Sequence, residues 1–155
     1  MSTYHESNRQ QLLSNNTMEQ LRDNPDCESR RLPVQADDVA PDTTEIRLLQ
    51  RMNGGSMCHC TLPPRTVSKA VKHKTVDEIW YFVQGQGQVW RKLEHKEKVE
   101  DVSTGVSLTL PVGTQFQFRN IGWEALCFLC VTMPPWPGQD EAVLVEDYWK
   151  DQTLE

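Results

Sequence analysis

From Thr43 onward, the chain is a series of short runs rich in β-branched and aromatic residues, and each run is closed by a turn signal. The runs include EIWYFVQG, VSLTLPV and TQFQFRN, and the signals between the runs include NGG, GQG, STG and PVG. Gly, Pro and Asn supply the backbone freedom or rigidity that tight turns need. Seven or so short strands with such regular turns predict an all-β sandwich or barrel over residues 43–155.

Residues 1–42 differ from the rest of the chain, because they are polar and poor in aromatic residues. TMEQLRD predicts a short helix capped by Thr17, whose hydroxyl can accept from the free amides of the first turn. The remainder buries too little apolar surface to order itself alone. We expect a polar N-terminal arm that either packs on a neighbouring subunit or is loose.

Composition narrows the range of functions. The 155 residues fit one domain, and the formal charge of −6 disfavours a nucleic-acid partner. No apolar run approaches the ~20 residues that span a bilayer, so we expect no membrane partner. The N-terminus lacks the layout of a signal peptide, which predicts a cytoplasmic protein. An odd number of cysteines, five, then indicates reduced thiols.

One stretch combines glycine, proline and asparagine at defined separations: Gly105, five residues, Pro111, one residue, Gly113, two residues, Phe116, three residues, Asn120. This frame resembles the second motif of the cupin superfamily, whose members are small β-barrels of jelly-roll type. The motif usually has a histidine at the position of Phe116. The resemblance implies a cupin-type jelly-roll barrel, and it covers roughly residues 45–132.

An earlier stretch is similar to the first cupin motif in part. It reads Val71, Lys72, His73, four residues, Glu78, six residues, Gly85. The usual motif has a histidine where this chain has Val71. The resemblance therefore implies that His73 and Glu78 are what remains of a set of three histidines and one carboxylate.

Two protein ligands fall short of the three or more that ordinary zinc or iron sites use. We therefore expect no bound metal, and nothing in the sequence indicates another cofactor. His59 and Gln115 are candidate replacement ligands. Gln115 should point away from the interior if Phe116 points inward, whereas the register of the strand that carries His59 is open.

The cysteines allow a second interpretation. Cys58 with Cys60, and Cys127 with Cys130, could be read as a structural zinc site. Cys127 and Cys130 have opposite parity on an extended strand, however, so the four cannot easily converge. We favour buried cysteines that act as small apolar residues.

The pattern of alternation from Glu78 predicts an aromatic interior, in which His73 and Glu78 form the polar pair. Such a mostly apolar cavity suits a small organic molecule. The residues expected to line it are Trp80, Phe82, Phe116 and Phe118, joined by Trp90 or Gln88.

Desolvation should raise the pKa of Glu78, while a neighbouring histidine cation would act the other way. His73 and Glu78 are accordingly our candidate catalytic residues, as a proton donor and acceptor near neutral pH. The structural alternative is that the aromatic residues are simply the core of a small barrel and that the pair is only a structural hydrogen bond.

Three functions are considered, of which we favour the first and rank the third last. The first is a metal-independent acid–base enzyme of the epimerase, isomerase, cyclase or dehydratase type, and the resemblance supports it because the superfamily includes metal-free sugar epimerases. The second is a metal-dependent dioxygenase or decarboxylase with replacement ligands, and the third is a non-catalytic module that binds a small ligand. The resemblance also implies a homodimer, since the exposed edges of an open jelly roll favour pairing.

Overall fold

The computed structural model describes residues 27–151 and 153–155. This part of the chain forms eleven strands and one 3₁₀ turn, Gln139–Glu141. The strands are β1 (Asp38–Val39), β2 (Glu45–Met52), β3 (Gly55–Leu62), β4 (Val71–His73), β5 (Asp77–Gln84), β6 (Gln86–Leu93), β7 (Lys96–Ser103), β8 (Ser107–Leu110), β9 (Gln115–Asn120), β10 (Leu126–Met133) and β11 (Ala142–Leu144).

The strands form two antiparallel sheets. The six-stranded sheet has the order β1-β2-β3-β10-β5-β8, and the five-stranded sheet has the order β11-β4-β9-β6-β7. Both sheets contribute to one buried core, which includes Leu62, Phe82 and Phe128 from the first and Val89 and Phe118 from the second. The structure is a jelly-roll barrel, and the all-β prediction is confirmed.

Strand β5 shows how the sequence produces the barrel wall. Glu78, Trp80 and Phe82 are buried, whereas Ile79 and Tyr81 are exposed. Successive side chains on a strand point to opposite faces, so the even-numbered residues of this run face the interior. This alternation brings Glu78 and the two aromatic residues onto one face, as the sequence predicts.

The turn that follows β5 depends on Gly85. Its φ is +86°, and a Cβ added there would lie 2.6 Å from the carbonyl oxygen of Ala125. A side chain would meet the backbone at the start of β10, so only glycine fits without distortion. The turn is one residue long, because β5 ends at Gln84 and β6 begins at Gln86.

The ends of the domain depart somewhat from the expected boundaries. Strand β1 lies within the predicted arm and pairs with β2 through Asp38 and Ile46, so the sheet begins before residue 43. The helix predicted after Thr17 lies outside the described residues. After the proline-rich segment, β11 takes an edge position in the five-stranded sheet.

In the described part of the chain, no helix has the length and apolar character needed to cross a membrane.

Candidate functional site

Three adjacent strands, β3, β10 and β5, place their inward side chains in rows across the six-stranded sheet. The rows run from polar at one end of the barrel to apolar in its depth. From that end inward, they are Ser56, Thr132 and Glu78; Cys58, Cys130 and Trp80; and Cys60, Phe128 and Phe82.

Glu78 is the titratable group of the outer row. It is 5% exposed, and its Oε2 accepts a hydrogen bond of 2.7 Å from the indole Nε1 of Trp80. The Cys130 thiol is a second hydrogen-bond partner. Burial raises the pKa of the Glu78 carboxyl to about 8, because these two donors only partly offset the loss of water.

His73 reaches the same place from the opposite sheet, as the last residue of β4. Its Nδ1 lies 3.6 Å from Oε1 of Glu78. Phe116 and Trp136 pack edge-on against the imidazole, each with a ring-centroid distance of 5.1 Å. Burial lowers the pKa of His73 to about 4, although the negative charge of Glu141 acts in the opposite direction.

The two pKa shifts decide the charge of the pair. Between pH values of about 4 and about 8, His73 is a neutral imidazole and Glu78 is a protonated carboxyl. The 3.6 Å approach is therefore a contact between two neutral groups rather than an ion pair. This corrects the expectation of a histidine cation that favours the carboxylate. The physical reason is that burial removes water from both groups and so disfavours the charged form of each.

The loop between β4 and β5, residues 74–76, is fixed by a second buried carboxylate, that of Glu141. Its Oε1 accepts from the backbone N–H groups of Thr75 at 2.5 Å and Val76 at 2.9 Å. Its Oε2 accepts from the Thr75 hydroxyl at 2.9 Å. Because this loop joins the strands that carry His73 and Glu78, Glu141 helps to set their separation.

Trp136 covers this end of the barrel. Its backbone N–H donates to the Ser56 hydroxyl at 2.9 Å, and that hydroxyl lies 2.6 Å from the hydroxyl of Thr132. The Arg51 guanidinium donates to the Trp136 carbonyl at 2.9 Å.

The site residues predicted from the sequence did not include Ser56, Thr132 and Trp136. Strand alternation could have found the first two, because each lies two residues from an inward cysteine.

Four of the five predicted aromatic residues meet in the interior. Trp80, Phe82, Phe116 and Phe118 are each at most 2% exposed. They pack on one another and on Phe128, with ring-centroid distances from 4.1 to 6.2 Å. Phe116 also contacts His73, and Trp80 contacts Glu78, whereas Phe82 and Phe118 are among the fully buried side chains of the core.

Trp90 lies on the opposite face of the five-stranded sheet, which corrects its expected position. Its ring stacks on Tyr148 at 5.2 Å, and its Nε1 donates to Glu97 at 2.7 Å. The neighbouring Val89 pairs with Phe118 in the core. Since alternation puts Val89 inside, both Trp90 and Gln88 must face outward.

The positions of the missing histidines do not fit a metal. Val71 and Phe116 are paired across β4 and β9 and are each 1% exposed. His59 lies between two inward cysteines and therefore faces outward, where its ring contacts the Thr61 hydroxyl. Gln115 pairs with the exposed Lys72. Among residues 27–151 and 153–155, no group of three or more His, Cys, Asp or Glu could hold a metal ion.

The jelly roll agrees with the comparison with known families, in which a family model described as the cupin domain matches residues 58–132. The chain belongs to the cupin superfamily. An uncharacterized protein of Methanocaldococcus jannaschii is 32% identical over 89 residues, which are 57% of this cupin and 68% of that relative.

Solved structures show the same fold. A conserved Klebsiella pneumoniae protein with a double-stranded β-helix domain is 17% identical, with a TM-score of 0.60 over 77% of this cupin and 100% of that chain. Oxalate decarboxylase from Bacillus subtilis is 14% identical, with a TM-score of 0.66 over 81% of this cupin and 34% of that chain. At these identities the likeness concerns the fold, and the superfamily supports a small-molecule enzyme or binding function.

Proposed function

We propose that this cupin is an enzyme that moves a proton on a small organic molecule without a metal, with Glu78 as the acid and His73 as the base. The reaction classes that fit are those of an epimerase, isomerase, cyclase or dehydratase. The observation that carries the proposal is the contact between two buried groups whose pKa values are shifted in opposite directions.

The opposite shifts suit general acid–base catalysis. At pH 7 the carboxyl of Glu78 still holds its proton, and the imidazole of His73 is free to accept one. A catalytic acid and base must both be in the reactive protonation state at the working pH. Here that condition holds from a pH of about 4 to a pH of about 8.

The surroundings of the pair favour a substrate of low charge. Around His73 the contacts are the rings of Phe116 and Trp136. Around Glu78 they are the indole of Trp80 and the thiol of Cys130. These groups desolvate a ligand without offering a counter-charge, so we propose a neutral compound with a hydrogen made acidic by an adjacent carbonyl.

Substrate contact is proposed for the two predicted aromatic residues nearest the pair, Phe116 and Trp80. Trp136 is partly exposed and lies against His73, so a compound that enters at this end of the barrel meets its ring first. Phe82 and Phe118 support those rings from the core.

The test is hydrogen exchange into substrate carbon. The protein is incubated in D₂O with a panel of neutral hydroxyketones, reducing sugars and cyclic ketones, and each compound is examined by mass spectrometry. We expect the wild type to introduce deuterium at the carbon next to the carbonyl of at least one compound. Glu78→Gln should lose this exchange by about 10²-fold or more, whereas the exposed Glu146→Gln should retain it.

Two further measurements separate the competing functions. Exchange that survives a chelator and does not increase with added iron, manganese or zinc supports metal-independent chemistry, and exchange that requires the metal overturns it. A compound that raises the melting temperature while no compound exchanges would instead identify a non-catalytic binding module.

A homodimer also remains a proposal. The outer face of the six-stranded sheet exposes Ile79 and Tyr81, at 44% and 47%, together with Met57 at 37%. A second copy of this face would cover these apolar side chains. Sedimentation of the wild type and of Tyr81→Lys tests this, because the variant should sediment as a monomer if the face is the dimer contact.

A further inference from the structure

We propose that Cys58 and Cys130 form a redox site inside the barrel, in which a hydroperoxide oxidises the two thiols to a disulfide. The inference is independent of the proton-transfer function. It follows from the convergence of three cysteines on two paired strands, which the sequence pattern alone favours as small apolar residues.

The register of two strands places the two sulfur-bearing residues together. Cys58 on β3 is directly opposite Cys130 on β10, and both face the interior. Directly opposed residues of an antiparallel pair have Cα atoms about 4.5 or 5.5 Å apart. Both values lie within the range of roughly 4.4–6.8 Å that a disulfide spans.

Cys60 completes the thiol cluster, defined here as Cys58, Cys60 and Cys130. Its sulfur lies 3.7 Å from that of Cys58, and Cys130 is hydrogen-bonded to both. Cys58 and Cys60 are two residues apart on one strand, where Cα atoms are about 6.6–6.8 Å apart and the side chains run parallel. The cross-strand pair is therefore better placed for a bond than the pair on one strand.

The hydrogen bonds within the cluster select the reactive sulfur. Hydrogen bonds from the Cys130 and Cys60 thiols lower the pKa of Cys58. The pKa values of Cys60 and Cys130 are raised. Cys58 is also the member of the cluster with partial solvent exposure, so the most accessible sulfur is the one whose pKa is lowered. A stabilised, partly accessible thiolate is what nucleophilic attack requires.

The oxidation balances in two steps. The Cys58 thiolate attacks one peroxide oxygen, the O–O bond breaks, and the leaving alkoxide or hydroxide takes up a proton to give an alcohol or water. The Cys58 sulfenic acid is then attacked by the sulfur of Cys130, whose proton leaves with the hydroxyl group as water. The peroxide gains the two electrons that the thiol pair loses.

The other two cysteines serve as internal controls. Cys127 faces the outer side of β10, where its sulfur contacts the Thr61 hydroxyl at 3.8 Å. Cys27 is exposed and lies ahead of the first strand. A Cys27→Ser background removes intermolecular disulfides and leaves four of the five cysteines. Within that background, Cys127→Ser should not affect the chemistry of the cluster.

The experiment is a titration of the reduced full-length Cys27→Ser protein with hydrogen peroxide and with cumene hydroperoxide. Thiols are counted with a maleimide reagent, and peptides are mapped by mass spectrometry without reduction. We expect one equivalent of peroxide to remove two thiols per chain and to link the peptides that contain Cys58 and Cys130. Cys127→Ser should give the same link, and Cys58→Ser should lose at least nine-tenths of the thiol consumption.

Other outcomes overturn the proposal. These are a link between Cys58 and Cys60, preferential oxidation of Cys127, or a Cys58 that proceeds to sulfinic acid while Cys130 stays reduced. The parent protein alone decides between them, so the test holds even if Cys58→Ser folds poorly.

Discussion

Two buried carboxyl groups influence His73, that of Glu141 from the 3₁₀ turn and that of Glu78 from β5, and they carry different charges. Burial acts to raise the pKa of both. In Glu141 the bonds from Thr75 and Val76 outweigh burial and the pKa is lowered, whereas in Glu78 burial prevails and the pKa rises to about 8. The depth of burial, which is greater for Glu78, and the number and kind of donors together decide the ionisation state.

The energies involved explain the difference. Removing a carboxylate from water costs several kcal/mol, and a hydrogen bond to a charged group contributes roughly 1.5–3 kcal/mol. Glu141 receives two backbone N–H donors and one hydroxyl, which can offset that cost. Glu78 has one indole donor and one thiol, and a thiol is a weak donor.

Removal of the ionised carboxylate should have the largest effect. Glu141→Ala leaves the Thr75 and Val76 amides without their acceptor in a buried loop. We expect the free energy of unfolding to fall by about 3–5 kcal/mol, as measured by urea denaturation at pH 7. The exposed Glu146→Ala is the control and should show no measurable change. Equal stability of the two variants would mean that the loop is held by other contacts.

The protonated carboxyl should affect stability in a pH-dependent way. The folded-state pKa of Glu78 lies above its unfolded value of 4.5. As pH rises from 4.5 to about 8, the carboxyl ionises in the unfolded state before it does so in the folded state, and the fold loses stability. His73, with its pKa lowered from 6.5 to about 4, has the opposite slope between those values. The lowered pKa of Cys58 also gives the opposite slope, up to its unfolded value of 9.0. The decline caused by Glu78, up to about 1.4 kcal/mol per pH unit, is therefore read from a variant that lacks this carboxyl.

Glu78→Gln tests this assignment, because the amide resembles the protonated acid and cannot ionise. In urea denaturation, the free energy of unfolding of the variant relative to that of the wild type should rise by up to about 1.4 kcal/mol per pH unit between pH 4.5 and about 8. Parallel pH profiles of the two proteins would assign the titration to another group.

Loss of a single donor should raise the pKa of Glu78 further. Trp80→Phe keeps a ring but removes the indole N–H that reaches Glu78, so the pKa of Glu78 should rise by roughly one to two units, the equivalent of one hydrogen bond to a charged group. The carbonyl infrared band of the protonated carboxyl reports it. Trp90→Phe is a matched control, since its lost donor serves Glu97 on the outer face. A shift in that control would point to a general change in the barrel.

The smallest effect is expected for the thiol donor. Cys130→Ala removes the S–H group beside Glu78, and the pKa should move upward by less than in Trp80→Phe, because sulfur is the weaker donor. The same infrared titration measures it. A larger shift than that of the tryptophan variant would reverse our ranking of the two donors.

The sequence predicts well what depends on local alternation and on motif spacing. The strand runs, the inward side of β5 and the approach of His73 to Glu78 all follow from such patterns. Trp90 does not, because the one-residue turn at Gly85 resets the alternation, so that odd-numbered residues of β6 face inward.

Contacts between distant segments have no comparable signal in the sequence. Glu141 reaches Thr75 across 66 positions, and Trp136 reaches His73 from the segment after β10. The thiol cluster exists because β10 pairs with β3, an arrangement that residue parity on a single strand does not reveal.

The position of β10 has a consequence for the order in which the molecule matures. This strand is the tenth of eleven in the described part of the chain, yet it lies between β3 and β5 in the sheet and pairs with both. A nascent chain that has not yet delivered Leu126–Met133 has neither the Cys130 partner of Glu78 nor the wall that shields Cys58 and Cys60. The surroundings of the proposed acid and the thiol cluster are therefore completed only after β10 has been synthesised and has docked.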